Sequence, residues 1–570
     1  MNDQKNMLLA IVLSMAILFV WDFFFAPKTN LENTKVESIN DNPENILNEE
    51  VIKPSLPAEN VQKIIDRGKI VDTADRIQIQ TNSLSGSFSL KGLRLDDLTL
   101  VKYRKTTSES SDEIVLLSPS STKNPYFAEI GWLSSDRSIL TPNNKTVWKQ
   151  ENKSQLLTEQ NTINLYWDNG QGLLFKRKIS IDDDYMFSIY DEIINNTSNE
   201  IALYPYGSIT RISTPKILGF FILHEGPLGV FNDTLSEFDY SEVREKKLEQ
   251  ITSIGGWSGF TDKYWLTALI SDQNKEIETS LRHVFNGSDL YQVDFRTIKP
   301  TIVSPGESSN VETLFFAGAK EVKLLDRYSE NYGIARFDLA IDFGWFYFLT
   351  KPLFYSLIWL KDQLGNFGLS ILALTVFLRL LLYPLADKQF KAMTKLKKLQ
   401  PEMKALQERY SDDRTKLNQE LMELYKKEKA NPAAGCLPIL VQIPIFFALY
   451  KVLFVTIEMR HAPFYGWIND MSAKDPTSIF NIFGLLPYEV PSFLVLGAWP
   501  IIMGITMWLQ MKLNPAPTDP LQAKIMSFLP IIFTVMLASF PAGLVIYWAW
   551  SNALGILQQW AIMRKAGVKA

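Results

Sequence analysis

The sequence has a single cysteine and very little histidine. Cys436 is the only cysteine among the 570 residues, so no internal disulfide can form. The three histidines, His224, His283 and His461, lie far apart in the sequence and have no metal-ligand spacing. We therefore expect neither a disulfide-stabilised fold nor a bound metal.

Motifs that carry common catalytic chemistry are also absent from the sequence. No G-x-x-x-x-G-K-[ST] loop is present, which argues against nucleotide hydrolysis. The stretch HEGPL at 224–228 lacks the second histidine of a zinc protease motif, and GWSGF at 256–260 departs from G-x-S-x-G at its last residue. These stretches favour structural roles, so we expect a protein that is not an enzyme and needs no cofactor.

The net charge does not indicate a nucleic-acid-binding protein, and the apolar runs are distributed unevenly along the chain. The formal net charge is −4, and this near balance gives no reason to expect nucleic acid as the main partner. Long apolar runs are scarce in the first 340 residues, where one run lies at the start. Nearly all the others lie in the last 230 residues. This division predicts an exported polar region followed by a membrane region.

Six apolar runs have about the length of a membrane span. Lys5 and the terminal amine precede the first run, which places the N-terminus in the cytoplasm. A cleaved signal peptide is the alternative, but the VWDFFFAPK sequence that follows offers no small-x-small cleavage site, which favours an uncleaved anchor. The predicted helices are an anchor at 1–25 and further spans at 365–386, 436–457, 493–511, 525–540 and 542–563.

The charges of the loops support a topology with both termini in the cytoplasm. Residues 387–431 hold twelve basic and eight acidic side chains, which predicts a cytoplasmic loop. The loop at 458–492 holds two basic residues and is predicted to lie outside, whereas the tail at 564–570 holds three and is predicted to be cytoplasmic. Six spans that begin inside also end inside.

Two regions between the first and second spans have different compositions. Residues 26–60 are rich in Asn, Glu, Pro and Lys, which predicts a disordered tether. Residues 61–335 contain alternating stretches such as RIQIQTN and YMFSIYDEIINNTSNEIALYPY, with a turn cluster at 195–199 between two strands. Short strands separated by Asn, Gly, Asp and Ser predict an exported all-β sandwich.

A helix is predicted at 340–364, on the outer surface of the membrane. Its sequence WFYFLTKPLFYSLIWLKDQL is aromatic but is interrupted by Lys351, Pro352, Lys361 and Asp362. This composition is typical of an amphipathic interfacial helix. A seventh span is the alternative, and it would break the charge pattern of the loops.

The loop at 387–431 has its own apolar periodicity, with spacings of three and four residues. The positions are Leu396, Leu399, Met403, Leu406 and Tyr410, followed after SDDR by Leu417, Leu421 and Leu424. The pattern predicts an antiparallel helical hairpin with a narrow apolar seam. The alternative is a solvated charged loop whose periodicity is accidental.

The stretch LTVFLRLLLYPL carries an arginine, Arg379, near the middle of an apolar run. Inserting an arginine at the centre of a membrane helix costs roughly 2.5–3.5 kcal/mol on insertion scales. The side chain either extends to the inner headgroups or faces a wet cavity inside the protein. Lys451, near the outer end of its span, is better explained by extension to the headgroups.

Polar neighbours favour the cavity for Arg379. Thr375 lies four residues earlier on the same helix face, and Gln442 lies in the third span. The last span contributes Tyr547, Ser551 and Asn552, whereas the last five spans contain no Asp or Glu. An arginine with no carboxylate partner in these spans is available to bind a carboxylate of another molecule.

Three stretches resemble the YidC membrane protein insertase family. They are NPAAGCLPILVQIPIFFALY at 431–450, TDPLQAKIMSFLPIIFT at 518–534 and FPAGLVIYWAWSNALGILQQW at 540–560. The resemblance extends from about residue 340 to about 565, and the N-terminal part is more loosely similar to the Gram-negative type. It implies a five-helix core around a hydrophilic groove and a mutarotase-like β-sandwich outside. The groove residues that it implies are Arg379, Thr375, Gln442, Tyr547 and Trp548.

The resemblance also implies a function and a location. It describes an insertase and chaperone of the bacterial inner membrane that receives nascent membrane proteins, with or without the Sec translocon, and releases them sideways into lipid. Ribosomes and signal-recognition factors would contact the cytoplasmic loops, because the tail ends at MRKAGVKA and is not long and basic. The alternatives are a secondary transporter for a small anion, although no internal repeat is visible, and a membrane-tethered carbohydrate-modifying enzyme.

Overall fold

The structure is a computed structural model of the chain. It describes residues 54, 64–73, 75–151, 156–218, 223–344, 346–410, 413–428, 437–486, 488, 490–491, 495–514 and 520–565. The predicted anchor at 1–25, nearly all of the predicted tether at 26–60, and residues 566–570 of the predicted tail lie outside these ranges.

The described part of the predicted exported region forms two β-sheets. One sheet has eleven described strands in the order β14-β17-β18-β11-β5-β3-β2-β1-β7, with β4 paired to β3 and β19 paired to β11. Its strands are β1 (Arg76–Gln80), β2 (Leu84–Ser89), β3 (Leu95–Arg104), β4 (Glu113–Leu117), β5 (Tyr126–Ser134), β7 (Leu156–Leu157), β11 (Ile201–Ile212), β14 (Leu248–Ile254), β17 (Glu276–Phe285), β18 (Asp289–Thr297) and β19 (Thr301–Val303). Only β1 and β7 pair in parallel among these strands.

The second sheet has nine described strands in the order β13-β12-β15-β16-β20-β10-β9-β8-β6. They are β6 (Lys149–Gln150), β8 (Ile163–Asp168), β9 (Leu173–Ile181), β10 (Met186–Asn195), β12 (Gly226–Phe231), β13 (Thr234–Glu237), β15 (Trp257–Thr261), β16 (Trp265–Ile270) and β20 (Ser308–Ala319). The prediction of a β-sandwich domain is therefore confirmed. The domain is not all-β, because helices also form within it, at Arg67–Thr73, Tyr240–Lys246 and Val322–Tyr332.

Alternation along the chain places one face of each sheet inside. In β9, Leu173, Phe175 and Ile179 are buried at every second position, and β10 follows across a turn in which Asp182 accepts the amide of Met186 at 2.9 Å. The predicted turn at 195–199 joins β10 to β11, which belong to different sheets. The chain therefore crosses from one layer to the other at this turn.

A buried ion pair links the two sheets. Arg177 on β9 binds Asp191 on β10 through two parallel contacts, Nε to Oδ1 at 2.6 Å and Nη2 to Oδ2 at 2.7 Å. Across the interior, Trp132 of β5 donates its indole N–H to Asp191 at 2.8 Å, and Arg177 donates to the carbonyl of Ile130. The four interactions satisfy both charges within the core.

Helices account for most of the remaining described residues. They are α1 (Arg67–Thr73), α2 (Tyr240–Lys246), α3 (Val322–Tyr332), α4 (Tyr347–Leu364), α5 (Phe367–Leu381), α6 (Tyr383–Arg409), α7 (Arg414–Lys427), α8 (Leu437–Val455), α9 (Ala498–Leu513), α10 (Pro520–Leu537) and α11 (Ala542–Lys565). Short 3-10 turns lie at Phe337–Ala340, Ile457–Met459 and Ile479–Gly484.

The helices of the apolar region differ in extent from the predicted spans. Helix α5 ends at Leu381, and the chain bends by 68° before α6, so the predicted span at 365–386 is not one straight helix. Within the described residues, this bent pair passes a length-and-hydropathy test for a membrane span, and no single helix does so alone. The count of six spans remains a prediction.

Helix α4 lies where an interfacial helix is predicted, but it starts at Tyr347. Leu353, Phe354 and Leu357 are buried on one side. Phe348 and Trp359 are exposed, and their spacing of eleven residues places them on a common face. The helix is continuous through Pro352. Its two faces therefore differ, with protein against one and exposed aromatic rings on the other.

Ion pairs join the β domain to the helices. Lys351 of α4 contacts Asp326 of α3 at 2.8 Å and Asp338 at 2.9 Å. Lys451 of α8 contacts Asp342 at 2.6 Å. The expectation that Lys451 extends to lipid headgroups is therefore wrong. Its ammonium group pairs with a carboxylate in the segment that leaves the β domain.

Helices α6 and α7 pack side by side over the predicted apolar seam. Leu399 and Met403 of α6 are buried against Leu421 and Leu424 of α7. Other seam positions lie at the edge of this cluster, namely Leu396, Leu406 and Leu417. Pro401 lies inside α6 without ending it. The periodic leucines thus form the contact between the two helices.

Candidate functional site

Arg379 lies at the contact between α5 and α11. Its Nη2 atom donates to both the hydroxyl and the carbonyl oxygen of Ser551, each at 2.8 Å. Gly555 lies one turn further along α11, and a Cβ at that position would lie 3.5 Å from Nη2. The small residues of α11 therefore leave room for the guanidinium between the two helices.

The polar character of this contact continues along α11 beyond Ser551. Gln558 donates to the carbonyl of Arg379 at 3.3 Å, and Gln559 donates to Asn514 at 3.2 Å. Asn552, the residue directly after Ser551, donates to Thr506 of α9 at 3.4 Å. Hydroxyl and amide groups of α9 and α11 thus surround the inner part of this helix contact.

Two acceptors in this polar region have no hydrogen-bond partner among the residues that the structure describes. Among the described side chains, the Oε1 atoms of Gln558 and Gln559 are buried without a hydrogen bond. Buried oxygens without a protein donor are commonly satisfied by water. These two amides are therefore suited to a hydrated interior.

No carboxylate in the described part of the chain forms an ion pair with Arg379. Its side-chain partner, Ser551, is neutral. Hydrogen bonds that the guanidinium donates to neutral acceptors replace part of the lost hydration, but they leave the charge uncompensated. An anionic group that enters this region would gain from that charge.

Thr375 and Gln442 differ in how they relate to this site. Thr375 is buried, and its hydroxyl donates to the carbonyl of Ile371 in its own helix at 2.6 Å. Gln442 belongs to α8, but its side chain lies outside the described part of the structure. Their roles in a groove remain predictions.

The two predicted groove aromatics of α11, Tyr547 and Trp548, lie one turn before Ser551. Tyr547 is buried and stacks on Phe446 of α8, with 6.4 Å between the ring centroids. Trp548 contacts the same ring at 4.9 Å and Phe533 of α10 at 5.4 Å. Trp548 thus fills the space between α8 and α10, while Tyr547 shares the helix face of Ser551.

Sequence reasoning missed four polar residues of this region, namely Thr506, Asn514, Gln558 and Gln559. The spacing in SNALGILQQ provided a signal, because positions 551, 555, 558 and 559 share one helix face. Thr506 and Asn514 had no comparable signal, since their proximity depends on how α9 packs against α11.

No group of three or more metal-ligating side chains occurs among the described residues. The fold and the site define a class of protein in which a two-sheet β domain is joined to apolar helices that surround a polar site with an uncompensated cation.

Comparisons with known proteins show to which family the chain belongs. Residues 359–569 match the family model described as 60Kd inner membrane protein, and residues 76–356 match that of the YidC periplasmic domain. The chain is 48% identical to the membrane protein insertase YidC of Rickettsia bellii, over 98% of this chain and 99% of that protein. It is 47% identical to the protein of the same name from Brucella suis, over 100% and 97% respectively.

Among solved structures, the chain resembles an active YidC insertase crystal structure with its first transmembrane domain resolved. The TM-score is 0.35 at 18% identity, with 85% of this chain and 92% of that chain covered. The chain belongs to the YidC family of membrane protein insertases, which are inner-membrane proteins with a periplasmic domain. Membership of this family agrees with the expectation that the protein is not an enzyme, and it gives no support to a transporter or a carbohydrate-modifying enzyme.

Proposed function

We propose that the protein inserts nascent membrane proteins by receiving a short hydrophilic segment at the polar site around Arg379. The observation that carries this proposal is a half-buried guanidinium bound to the neutral Ser551, with no carboxylate paired to it in the described chain. An acidic tail that enters from the cytoplasm gains attraction from this cation. Water bound to the amides of Gln558 and Gln559 would keep the tail partly solvated.

The energy for insertion comes from the substrate and from the membrane. Burial of an apolar segment in lipid yields roughly 25 cal/mol per Å². The membrane potential adds about 2.3 kcal/mol per charge per 100 mV for an acidic tail that moves outward. These two terms are large enough for a single span, so the mechanism requires no nucleotide.

The substrate leaves the site along α8 and α10. Exposed apolar side chains support this path: Ile443 and Phe447 on α8, and Ile531 and Val535 on α10. An apolar segment could slide along these faces into lipid while its polar tail remains near Arg379. Trp548, between the two helices, would contact the passing segment.

The proposed topology has six spans, with the β domain in the periplasm and both termini in the cytoplasm. Helix α4 would lie at the outer membrane surface, where the exposed rings of Phe348 and Trp359 suit the headgroup region. The hairpin of α6 and α7 would then be cytoplasmic. Its mixed charges suit reversible contact with ribosomes, signal-recognition factors or the Sec translocon.

Reconstitution of the purified protein in lipid vesicles tests the proposal. A single-span reporter with an acidic tail should become membrane-embedded and protected from added protease in vesicles that contain the protein. Vesicles with the Arg379→Glu variant at equal density provide the matched control. Equal insertion in empty vesicles and in both protein preparations would refute the proposal.

A further inference from the structure

An apolar surface that the insertion mechanism does not use lies in the loop between α8 and α9. The segment Ile479–Gly484 and the residues up to Tyr488 read IFNIFGLLPY and contain no charged side chain. Its large side chains are exposed, with Leu485 at 80% of its full accessible area. The other exposed members are Ile479, Phe480, Ile482, Phe483, Leu486 and Tyr488. We call residues 479–486 and 488 the apolar loop tip.

The backbone of the apolar loop tip is hydrogen-bonded internally. The amide of Phe483 donates to the carbonyl of Ser478 at 2.7 Å, and the amide of Leu486 donates to the carbonyl of Asn481 at 3.1 Å. The side chain of Asn481 accepts the amide of Gly484, and the phenol of Tyr488 donates to the carbonyl of Phe480. These polar groups thus bind one another while the apolar side chains are exposed, whereas an ordinary surface loop exposes its polar groups.

The backbone of the apolar loop tip is strained at two positions. Ile482 and Phe483 have φ values of 52° and 56°, a left-handed conformation that is unfavourable for residues other than glycine. For the β-branched Ile482 the conformation is especially unfavourable. Such strain persists only where the surrounding structure enforces it, and it is concentrated at functional segments.

Hydrogen bonds to Asp475 hold the base of the apolar loop tip in place. The buried Asp475 accepts hydrogen bonds from Thr477, from the indole of Trp467 at 3.1 Å and from the amide of Trp499 at the start of α9. The amide of Ile479 then donates to the carbonyl of Leu496 at 3.0 Å. These contacts hold the loop tip beside the first turn of α9.

We propose that the apolar loop tip inserts into the outer leaflet of the membrane beside α9. The inference rests on the topology given under Proposed function, which places this loop outside. Three features favour lipid over a protein partner. The tip has no charged side chain, the exposed rings of Tyr465 and Trp467 lie near its base, and Lys474 is exposed there. Apolar tip, aromatic collar and cation follow the order of a lipid leaflet from acyl chains to phosphates.

Insertion of the loop tip would anchor the outer ends of α8 and α9. Because the base is fixed through Asp475, a tip held in lipid restrains the start of α9 directly.

The test places a fluorophore that responds to its environment at Leu485 in the full-length protein. In a Cys436→Ser background, Leu485→Cys reports on the tip and Ala473→Cys reports on the exposed base. Both labelled proteins are reconstituted in vesicles that contain phospholipids with a nitroxide on the acyl chain. We expect nitroxide quenching at 485 to exceed that at 473 at least threefold, and iodide quenching to show the opposite order.

Two results would overturn the membrane contact. Equal iodide quenching at both positions would show that the tip lies in water. Protection at 485 from both quenchers would indicate that protein covers it, such as a second copy of the chain. As a further check, Leu485→Asp should lower nitroxide quenching of a fluorophore at Phe480→Cys, because a charge opposes insertion, and unchanged quenching contradicts the proposal.

The same preparation separates this inference from the proposed topology. Iodide added outside right-side-out vesicles reaches position 473 only when the loop is periplasmic. Protection of 473 would refute the topology, whereas access at 473 together with access at 485 would refute only the membrane contact. Insertion of the acidic-tailed reporter in unlabelled vesicles reports separately on the insertase activity.

Discussion

Glu458, just beyond α8, accepts a hydrogen bond at 3.2 Å from the main-chain amide of Val322, the first residue of α3. A carboxylate of the helical region therefore caps a helix of the β domain. The neighbouring Glu321 is the N-cap residue of α3, and its side chain makes no cap hydrogen bond. The other oxygen of Glu458 is buried without a partner among the described residues.

Burial raises the pKa of Glu458 to about 7, although the hydrogen bond from Val322 acts in the opposite direction. An unfolded glutamate has a pKa near 4.3. Between these values the folded protein binds more protons than the unfolded one, so stability falls as the pH rises from about 4.5 to about 7. We expect Glu458→Gln to remove this dependence and to stabilise the protein by about 1–3 kcal/mol at pH 8.

Thermal unfolding of both proteins at pH 5 and pH 8 measures this effect. Glu245→Gln, at an exposed position of α2, is the matched control and should behave as the wild type. An identical pH dependence in wild type and Glu458→Gln would show that Glu458 does not titrate in this range.

Substitutions at Arg379 should follow charge. Lys should retain most insertion of an acidic-tailed reporter, Ala should lose about tenfold, and Glu should be worst because it repels the incoming carboxylates. The estimate follows from hydrogen bonds to charged groups, which contribute about 1.5–3 kcal/mol each. Insertion rates of acidic-tailed and neutral-tailed reporters in vesicles give the measurement.

Two further variants distinguish an electrostatic role of Arg379 from other roles. Ser551→Ala removes one partner of the guanidinium but keeps the charge and the carbonyl contact, so its loss should be smaller than that of Arg379→Ala. If the side chain only extends to lipid headgroups, Gln should replace it fully. Equal activity of the Arg, Ala and Glu forms on the acidic tail would reject the electrostatic role.

The buried pair of Arg177 and Asp191 should contribute strongly to the stability of the β domain. Asp191→Ala leaves the Arg177 charge buried and removes the partner of Trp132, which should lower the free energy of unfolding by about 3–5 kcal/mol. Lys105→Ala breaks an exposed pair and should cost less than about 1 kcal/mol. Chemical denaturation of the two full-length variants measures the difference, and equal losses would contradict the assigned role.

The proposed topology predicts the side from which single cysteines react. In a Cys436→Ser background, cysteines at Ser85 and Ser472 should react with an impermeant maleimide added outside spheroplasts. A cysteine at Ser411 should react only after the membrane is made permeable. Labelling at position 411 from outside would contradict the charge argument and the mechanism that depends on it.

The hairpin of α6 and α7 should be required as a folded element. Leu421→Pro places a proline in the middle of α7, which costs about 3 kcal/mol or more locally, and insertion should fall although the other helices remain folded. Glu420→Ala, on the adjacent position, keeps the helix and should have little effect. Unchanged insertion by the proline variant in vesicles with ribosome-bound substrate would reduce the hairpin to a linker.

Periodicity alone predicted the parts of the fold that depend on local pattern. The strands of the β domain and the leucine seam between α6 and α7 follow residue spacing directly, because burial of one face requires it. The pairing of strands between two sheets did not follow from the sequence. The turn at 195–199 was visible, but nothing local shows that β10 and β11 belong to different layers.

The candidate site was predictable only where the charge itself is unusual. Arg379 is prominent because a guanidinium interrupts an apolar run, and its contact with Ser551 agrees with the polar positions noted in the last span. The partner of Lys451 was missed, since Asp342 lies more than 100 residues away and no pattern connects them. Likewise, the cap between Glu458 and Val322 depends on how the two regions dock.

The 68° bend between α5 and α6 makes the long helix a lever arm with its pivot beside the site. Helix α6 has 27 residues and is therefore about 40 Å long, whereas Arg379 lies three residues before the pivot at Leu382. A rotation of about 10° at the pivot would move the far end of α6 by roughly 7 Å while displacing the guanidinium far less. A force that moves the far end of the hairpin would therefore shift the guanidinium of Arg379 only slightly.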